Sequence, residues 1–391
     1  MGQINTLTVA VQKPAQADFG KQFELQNYYR NVFLAEELVG SETKERCPFY
    51  QPRDDPPYIF RENLREVTMP GGVVQVSKTL SEDSVRALLQ VCGRFATIFS
   101  FDGRLGDCNV LQHTIDTGDA RPIHTPPYRN SYVKRLEIQH QIGDWLASGV
   151  IQPSCSPWSS PVVLVPTKDG STRICVDLRK INMVTKRDVD PLPAIDSLMA
   201  SSNGNTHFSS INLNQGYMQI RVKRQSVTKT AFVTEDGPFE FLKMPFGLTN
   251  APATSQRCMD MVLAGLKWNS CLVYLDDIIV FGEDESSHNR NSGKVLAALQ
   301  EAGLTIKPTK CASCVSELRF LGHIVSQGGI KMGPAKVKAI LDQPAPTTIR
   351  GLWGFLGIAA YYRRFIQGFS TIAEPINALL KKDAPFQWGP K

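Results

Sequence analysis

The chain carries two kinds of apolar pattern, one with helical spacing and one with the short β-prone runs of strands. Helical spacing predicts helices that begin near Ser81 and Lys134, and further helices over about 251–266 and 287–302. Short runs rich in valine, isoleucine and phenylalanine, separated by turn residues, predict β-hairpins. The mixture predicts an α+β fold in which helices pack on antiparallel strands. The hairpins cover residues 162–176, 231–241 and 272–282, and one more strand covers 208–213.

Residues 1–80 follow neither pattern. Residues 53–57 and 69–72 have the composition of linkers, so we predict an irregular segment with no assigned function. The whole chain has 391 residues and is 42% hydrophobic, which is typical of a large globular protein with more than one structural unit. It has no run of eighteen apolar residues and no signal-peptide layout, so we expect a soluble, intracellular protein with reduced cysteines.

The net charge of +6 lies in one part of the chain. Residues 331–391 hold nine Lys or Arg and three Asp or Glu, which gives 9 − 3 = +6, and the other residues balance to zero. Aromatic residues are interspersed with these basic ones, a mixture suited to contacting phosphates while stacking on bases. A helical domain with an aromatic core and a solvated basic face would have the same composition.

Two adjacent carboxylates, Asp276 and Asp277, fall in the turn of the hairpin over 272–282. The flanking runs are apolar, so the hairpin should be buried, and ionised carboxylates there cost several kcal/mol unless a positive charge compensates them. A pair of Mg²⁺ ions would do so and would also support nucleotidyl transfer. The alternative is an acidic turn exposed to water.

Several further segments lie around this turn in a fixed order. The segments are 113–118, 156–163, 175–182, 191–193, 208–213, 216–217, 244–248, 250–253, 274–277, 320–323, 355–357 and 361–365. Together they resemble the reverse transcriptases of gypsy-type LTR retrotransposons, over residues from about 81 to 391.

This resemblance implies a right-hand polymerase with fingers, palm and thumb, in which an antiparallel palm sheet packs on helices. It implies RNA-directed DNA polymerisation by two-metal nucleotidyl transfer, with two Mg²⁺ ions (Mn²⁺ as a substitute), an RNA or DNA template with its primer, and deoxynucleoside triphosphates. We expect no membrane partner, and a location in the cytoplasm or in virus-like particles. The implied divisions are 1–80 unassigned, 81–206 fingers with the segment leading into them, 207–322 palm with a fingers insertion at about 222–248, and 323–391 thumb and connection, ending before any ribonuclease H domain of the Pol polyprotein.

The resemblance also assigns roles to individual residues. Asp276 and Asp277 would be the metal ligands, and Tyr217 would be the aromatic gate that excludes a ribose 2′-hydroxyl. Lys168 and Arg173 would grip the triphosphate, for which an ammonium and a guanidinium are chemically suited. The remaining assignments are Phe246 and Gly247 against the nucleotide and template, Leu321 and Gly322 as the primer grip, and Lys336, Lys338, Arg363 and Arg364 as nucleic-acid contacts.

The sequence departs from the family at Asn212, where the family has a third metal-binding aspartate. An amide oxygen can contact a cation but brings no negative charge, so we expect impaired catalysis. The alternatives are a catalytically inactive nucleic-acid-binding remnant or domesticated protein, and an RNA-copying RNA polymerase, against which Tyr217 argues. Two other motifs carry less weight, because Asp116-Thr117-Gly118 lacks the context of an aspartic protease and Cys311, Cys314 and His323 lack a fourth zinc ligand.

Overall fold

The computed structural model describes residues 63–166, 172–189, 204–320, 323–333, 337–338 and 342–381. The chain divides into two compact units. Among the described residues, the larger unit holds 63–320 and 325–329, with the gaps just given, and the smaller unit holds 323–324 and the residues from 330 onward. Each unit is described separately below.

The described strands are numbered in chain order. They are β1 (Leu64–Met69), β2 (Gly72–Ser77), β3 (Cys108–His113), β4 (Ile151–Pro153), β5 (Ser160–Pro166), β6 (Thr172–Val176), β7 (His207–Asn212), β8 (Ile220–Val222), β9 (Phe232–Thr234), β10 (Gly237–Phe241), β11 (Cys271–Tyr274), β12 (Asp277–Gly282), β13 (Ala312–Val315), β14 (Glu317–Phe320), β15 (His323–Ser326) and β16 (Gly329–Met332).

The described α-helices are numbered in the same way. They are α1 (Glu82–Arg94), α2 (Tyr132–Ala147), α3 (Arg179–Val184), α4 (Arg224–Val227), α5 (Ala251–Val262), α6 (Glu285–Glu301), α7 (Ile349–Tyr361) and α8 (Phe369–Ala378).

A six-stranded sheet in the order β1-β2-β13-β7-β12-β11 forms the centre of the larger unit. All neighbouring strands are antiparallel except β2 and β13. Strands β7 and β12 lie in the interior of this sheet, and residues 208–211 and 278–281 are all buried. This burial on both faces explains why β12 reads as a continuous apolar run rather than an alternating one.

Two smaller sheets also lie in the described part of the larger unit. The first has the order β4-β10-β9-β5-β6 and includes the β5–β6 hairpin, in which Val165 lies opposite Arg173. The second is the parallel pair β3 and β8. Strand β3 is joined to α5, since His113 Nδ1 and Thr254 Oγ1 lie 2.8 Å apart in a hydrogen bond.

The structure confirms the α+β class and the three predicted hairpins. It also confirms the helix after Ser81, whose side chain caps α1 by accepting a hydrogen bond from the backbone N–H of Ser84 at 3.1 Å. The helix predicted from about Lys134 begins two residues earlier, at Tyr132, and the helix predicted from Ser287 begins at Glu285, after the cap Asp284.

Two predictions about boundaries were wrong. Residues 64–77, assigned to the irregular N-terminal segment, form the β1–β2 hairpin, and residues 69–72 are its turn rather than a linker. The helix predicted over 251–266 ends at Val262. Leu263 and Leu266 continue the apolar spacing but belong to turns, and Gly265 has a φ of +79° that interrupts a right-handed helix.

The smaller unit contains α7 and α8. Its core includes Leu352, Leu356, Ala373 and Ile376. The ring of His323 packs in the same unit against three aromatic rings at centroid distances of 5.5–6.1 Å, those of Tyr361, Tyr362 and Phe365. Across the described ranges of both units, no helix combines the length and the apolar character needed to cross a membrane.

Candidate active site

The carboxylates predicted to bind metal lie at the two-residue turn between β11 and β12. Tyr274 pairs with Asp277 across the hairpin, so the turn consists of Leu275 and Asp276. Leu275 has a φ of +56°, a left-handed conformation that is uncommon for a residue other than glycine. Its backbone N–H donates to Oε1 of the buried Gln256 at 2.9 Å, which fixes the turn against α5.

Asp276 lies close to two neighbours. The Ser255 hydroxyl on α5 donates to Asp276 Oδ1 at 3.1 Å. Gly216 also lies against Asp276, since a Cβ added there would stand 2.5 Å from Asp276 Oδ1 and 2.8 Å from its Cγ. Burial and the negative charge of Asp277 raise the pKa of Asp276 to about 7, while the hydrogen bond from Ser255 and the positive charge of Lys310 act in the opposite direction.

Asn212 stands directly opposite Asp277, because the register of β7 and β12 pairs the two residues. The Asn212 side chain donates from Nδ2 to Asp277 Oδ1 at 2.7 Å. Its backbone is also held, since the carbonyl of Asn212 accepts from the N–H of Lys307 at 2.9 Å. The structure therefore brings Asn212, Asp276 and Asp277 together, as the sequence predicted, although Asn212 and the turn are more than sixty residues apart along the chain.

The donor set fits a hard divalent cation in part. The buried carboxylate of Asp276, beside the negative charge of Asp277, needs a positive partner, and carboxylate and amide oxygens are ligands that Mg²⁺ and Mn²⁺ accept. In the described part of the chain, no three His, Cys, Asp or Glu side chains are grouped as a metal site. The third oxygen ligand here would be the amide of Asn212, which is neutral.

A second group of predicted residues lies beside the turn. The rings of Tyr217 and Phe246 have centroids 5.2 Å apart, and Tyr217 follows Gly216, the residue against Asp276. Gly247 has a φ of +95°, and its carbonyl accepts from Nδ2 of Asn182 on α3 at 2.7 Å. Asn182 thus fixes the loop that carries Phe246, which is 48% exposed and can contact a bound molecule.

The other predicted site residues are distributed differently. Lys168, Leu321, Gly322 and Lys336 lie outside the described residues, as do the side chains of Arg173 and Arg364. The backbone of Arg173 lies in β6, on the hairpin where the sequence placed it. In the smaller unit Lys338 is exposed and Arg363 is half-buried.

Sequence reasoning missed Gly216 as a steric requirement, and Ser255 and Gln256 as supports of the turn. Ser255 and Gln256 are buried polar residues on an amphipathic helix, and a buried amide or hydroxyl needs a hydrogen-bond partner. This need for hydrogen-bond partners is the signal from which the contact between α5 and the site could have been predicted. Nothing local identified the partners, because the contacts form only in the folded chain.

The raised pKa of Asp276 predicts how the stability of the folded chain changes with pH. A carboxyl group whose pKa rises from 3.8 in the unfolded chain to about 7 in the folded one destabilises the native state when it is ionised. This loss of stability begins above pH 4 and is complete above pH 7. Asp276→Asn should therefore raise the melting temperature of the metal-free protein at pH 8 by a few degrees, and by much less at pH 4.5. Thermal unfolding at both pH values checks this, with Asp342→Asn, an exposed site, as the control; an equal gain at both pH values would contradict it.

Comparison with known proteins identifies the family of this chain. Residues 165–325 match the family described as reverse transcriptase (RNA-dependent DNA polymerase). The chain is 40% identical over 363 residues to the retrovirus-related Pol polyprotein from transposon opus of Drosophila melanogaster, covering 90% of this chain and 36% of that protein. It is 37% identical over 309 residues to the one from transposon 297 of the same organism, covering 78% of this chain and 29% of that protein. The chain thus spans about a third of the length of these relatives.

The fold matches a solved structure of the foamy viral protease-reverse transcriptase in complex with double-stranded DNA. The TM-score is 0.70 at 21% sequence identity, covering 96% of this chain and 59% of that one. A second structure, of the same viral protein with an RNA/DNA hybrid, gives a TM-score of 0.66 at 21% identity, covering 96% of this chain and 46% of that one. The fold is therefore that of a reverse transcriptase, and the chain belongs to the reverse transcriptases found in the Pol polyproteins of LTR retrotransposons.

Proposed function

We propose that this chain is an RNA-directed DNA polymerase of a gypsy-type retrotransposon, and that Asn212 impairs its catalysis. The observation that carries the proposal is the convergence of Asp276, Asp277 and Asn212 beside the Tyr217–Phe246 pair. Its substrates would be an RNA or DNA template with its primer and deoxynucleoside triphosphates. Its place of action would be the cytoplasm or a virus-like particle.

Asp276 and Asp277 would hold the divalent cations, Mg²⁺ or its substitute Mn²⁺. Bound there, such ions lower the pKa of a primer hydroxyl and neutralise the charge of a leaving pyrophosphate. Ser255 and Gln256 keep the two carboxylates in place, and Tyr217 would meet the sugar of the incoming nucleotide. Lys168 and Arg173 would contact the triphosphate, and Leu321 and Gly322 the primer end.

The divisions that follow from this function are also proposals. The fingers, with the segment leading into them, would occupy 81–206. The palm would occupy 207–322, with a fingers insertion at about 222–248, and the thumb and connection 323–391. The β1–β2 hairpin extends the palm sheet, which supports a palm that also includes residues 64–77.

Asn212 lowers activity for two physical reasons. Its amide brings no charge to a site where two cations would be bound, and its N–H group occupies an oxygen of Asp277 that a cation would use. Losing several kcal/mol of transition-state stabilisation would correspond to a rate lower by roughly a thousandfold. The site would still favour nucleotidyl transfer over other chemistry, because both turn carboxylates remain.

Primer extension tests the proposed activity directly. The assay contains an RNA template, a DNA primer, the four deoxynucleoside triphosphates and either Mg²⁺ or Mn²⁺. The unaltered chain should extend the primer slowly, and the Asp277→Asn variant should extend it more slowly still. Extension that is equal in the two proteins would show that the turn carboxylate is not used, and the proposed site would be wrong.

The second candidate function is a nucleic-acid-binding protein without catalysis, which the neutral residue at position 212 favours. Filter binding to a primer-template separates the two candidates. Tight binding together with no extension by either the unaltered chain or Asn212→Asp would favour the binding protein.

The basic residues within 331–391 should contribute a salt-dependent part of the binding to primer-template. Neutralising four phosphate contacts, as Lys336→Gln, Lys338→Gln, Arg363→Gln and Arg364→Gln together, should reduce the slope of log K against log salt by about 2.8 to 3.6, since each contact contributes roughly 0.7 to 0.9. Filter binding from 50 to 200 mM salt measures the slope. An unchanged slope would remove these residues from the interface.

A further inference from the structure

Gln219 is a completely buried side chain at the end of the loop that carries Tyr217. Its Nε2 donates to the carbonyl of Asn214 at 2.8 Å and to the carbonyl of Thr305 at 2.9 Å. Its Oε1 accepts from the backbone N–H of Thr305 at 2.8 Å. One amide thus joins both ends of the 214–219 loop to the segment at 305 through three bonds to backbone groups, and its Oε1 also accepts from the hydroxyl of Thr305 at 3.4 Å.

The other end of the loop is held by a second buried amide. Asn214 Nδ2 donates to the hydroxyl of Ser100 at 3.1 Å and to the carbonyl of Gly103 at 3.0 Å. The backbone N–H of Asn214 donates to the carbonyl of Thr305 at 3.0 Å. Between the two amides, Gln215 has a φ of +51°, a conformation that persists where surrounding contacts over-determine it.

The loop held in this way carries Gly216 and Tyr217, two residues of the proposed active site. Gly216 lies against Asp276, and the ring of Tyr217 lies 5.2 Å from that of Phe246. An aromatic gate excludes a 2′-hydroxyl by steric overlap, so it works only if the ring does not yield. Gln219 bonds neither ring, and any effect on selectivity must pass through the backbone of the loop.

We infer that Gln219 is a positioning residue that determines how strictly the site distinguishes deoxyribonucleotides from ribonucleotides. The inference rests on the proposed function. Without the bonds of Gln219, the buried carbonyl of Asn214 and the N–H of Thr305 lose the partner that Gln219 supplies, and the loop must move to satisfy them. Tyr217 moves with it, and the space for a 2′-hydroxyl opens.

The test is the ratio of kcat/KM for one deoxynucleoside triphosphate to that for its ribonucleotide, in single-nucleotide incorporation by the full chain in the Asn212→Asp form. Gln219→Met keeps the length of the side chain and removes its hydrogen bonds. The ratio should fall about tenfold, the range in which a pocket discriminates one hydroxyl by shape. In a Tyr217→Ala background the ratio should not fall further, because the gate is already gone.

The matched control is Thr230→Val. Thr230 is also completely buried, and its hydroxyl donates to the carbonyl of Val227 at 2.6 Å and accepts from the N–H of Phe241 at 2.9 Å, away from the 214–219 loop. This variant should lower stability while leaving the ratio unchanged. If Gln219→Met slows both nucleotides equally, the residue has only a structural role and the inference is overturned.

A failure of the proposed function gives a different result. If neither the unaltered chain nor Asn212→Asp incorporates any nucleotide, the polymerase assignment fails, and amide hydrogen exchange then decides on Gln219. Gln219→Met should increase exchange in residues 213–219 and leave 271–282 as protected as in the unaltered chain. Unchanged exchange in 213–219 would show that Gln219 does not hold the loop.

Discussion

Replacing Asn212 with aspartate is expected to raise the rate of primer extension on an RNA template by about a thousandfold. The new carboxylate would stand opposite Asp277 in the β7–β12 register and would add the negative charge that the site lacks. It would also end the hydrogen bond by which the amide occupies Asp277 Oδ1. Single-turnover extension at saturating Mg²⁺ measures the change.

Asn109→Asp is the control for this experiment. It adds the same charge at an exposed side chain of β3 whose Nδ2 donates to the carbonyl of Glu301 at 3.0 Å, and it should not increase the rate. The metal-free Asn212→Asp protein should also be less stable than the unaltered chain, because three carboxylates then repel one another, and Mg²⁺ should restore its stability. Robust synthesis by the unaltered chain that Asn212→Asp does not improve would show that the amide is not a defect.

The turn and its surroundings differ in how far the sequence could predict them. The hairpin around Asp276 and Asp277 followed from local properties, since β-prone apolar runs on both sides of a polar pair fold as a hairpin in almost any context. The position of Asn212 came from the resemblance alone. Its pairing with Asp277 depends on the register of two strands that are distant in sequence, and local propensity carries no information about that register.

The residues that support the site could not be predicted from the local sequence, for the same reason. Ser255 and Gln256 look like ordinary polar positions of a helix until tertiary contacts bring Asp276 and the N–H of Leu275 against them. The β1–β2 hairpin could have been predicted more easily from the sequence. Its Pro70-Gly71 turn is flanked by alternating residues that include Val67 and Val74, but the proline and glycines resemble a linker when read without the strands.

Replacing Gly216 with alanine should reduce extension by the Asn212→Asp protein about a hundredfold or more. The added Cβ would stand 2.5 Å from Asp276 Oδ1, a separation that real Cβ atoms essentially never show, so either the carboxylate or the 214–219 loop must move. A displacement near 1 Å at a reacting centre costs on the order of a hundredfold in rate. The added methyl group would also stand 3.3 Å from Leu213 Cβ, which leaves it little alternative space.

Gly143→Ala is the matched control, because a Cβ at this exposed position of α2 would meet nothing within 4 Å. It should keep full activity and add slight stability, since alanine is the better helix former. The decisive comparison is between the extension rate of Gly216→Ala and its melting temperature. Gly216→Ala should melt within a few degrees of its parent and still bind primer-template, because the clash displaces only a few atoms beside the β11–β12 turn. A variant that keeps its rate would mean that Asp276 has another position from which it works equally well, and the tight contact with Gly216 would then not be a requirement of catalysis.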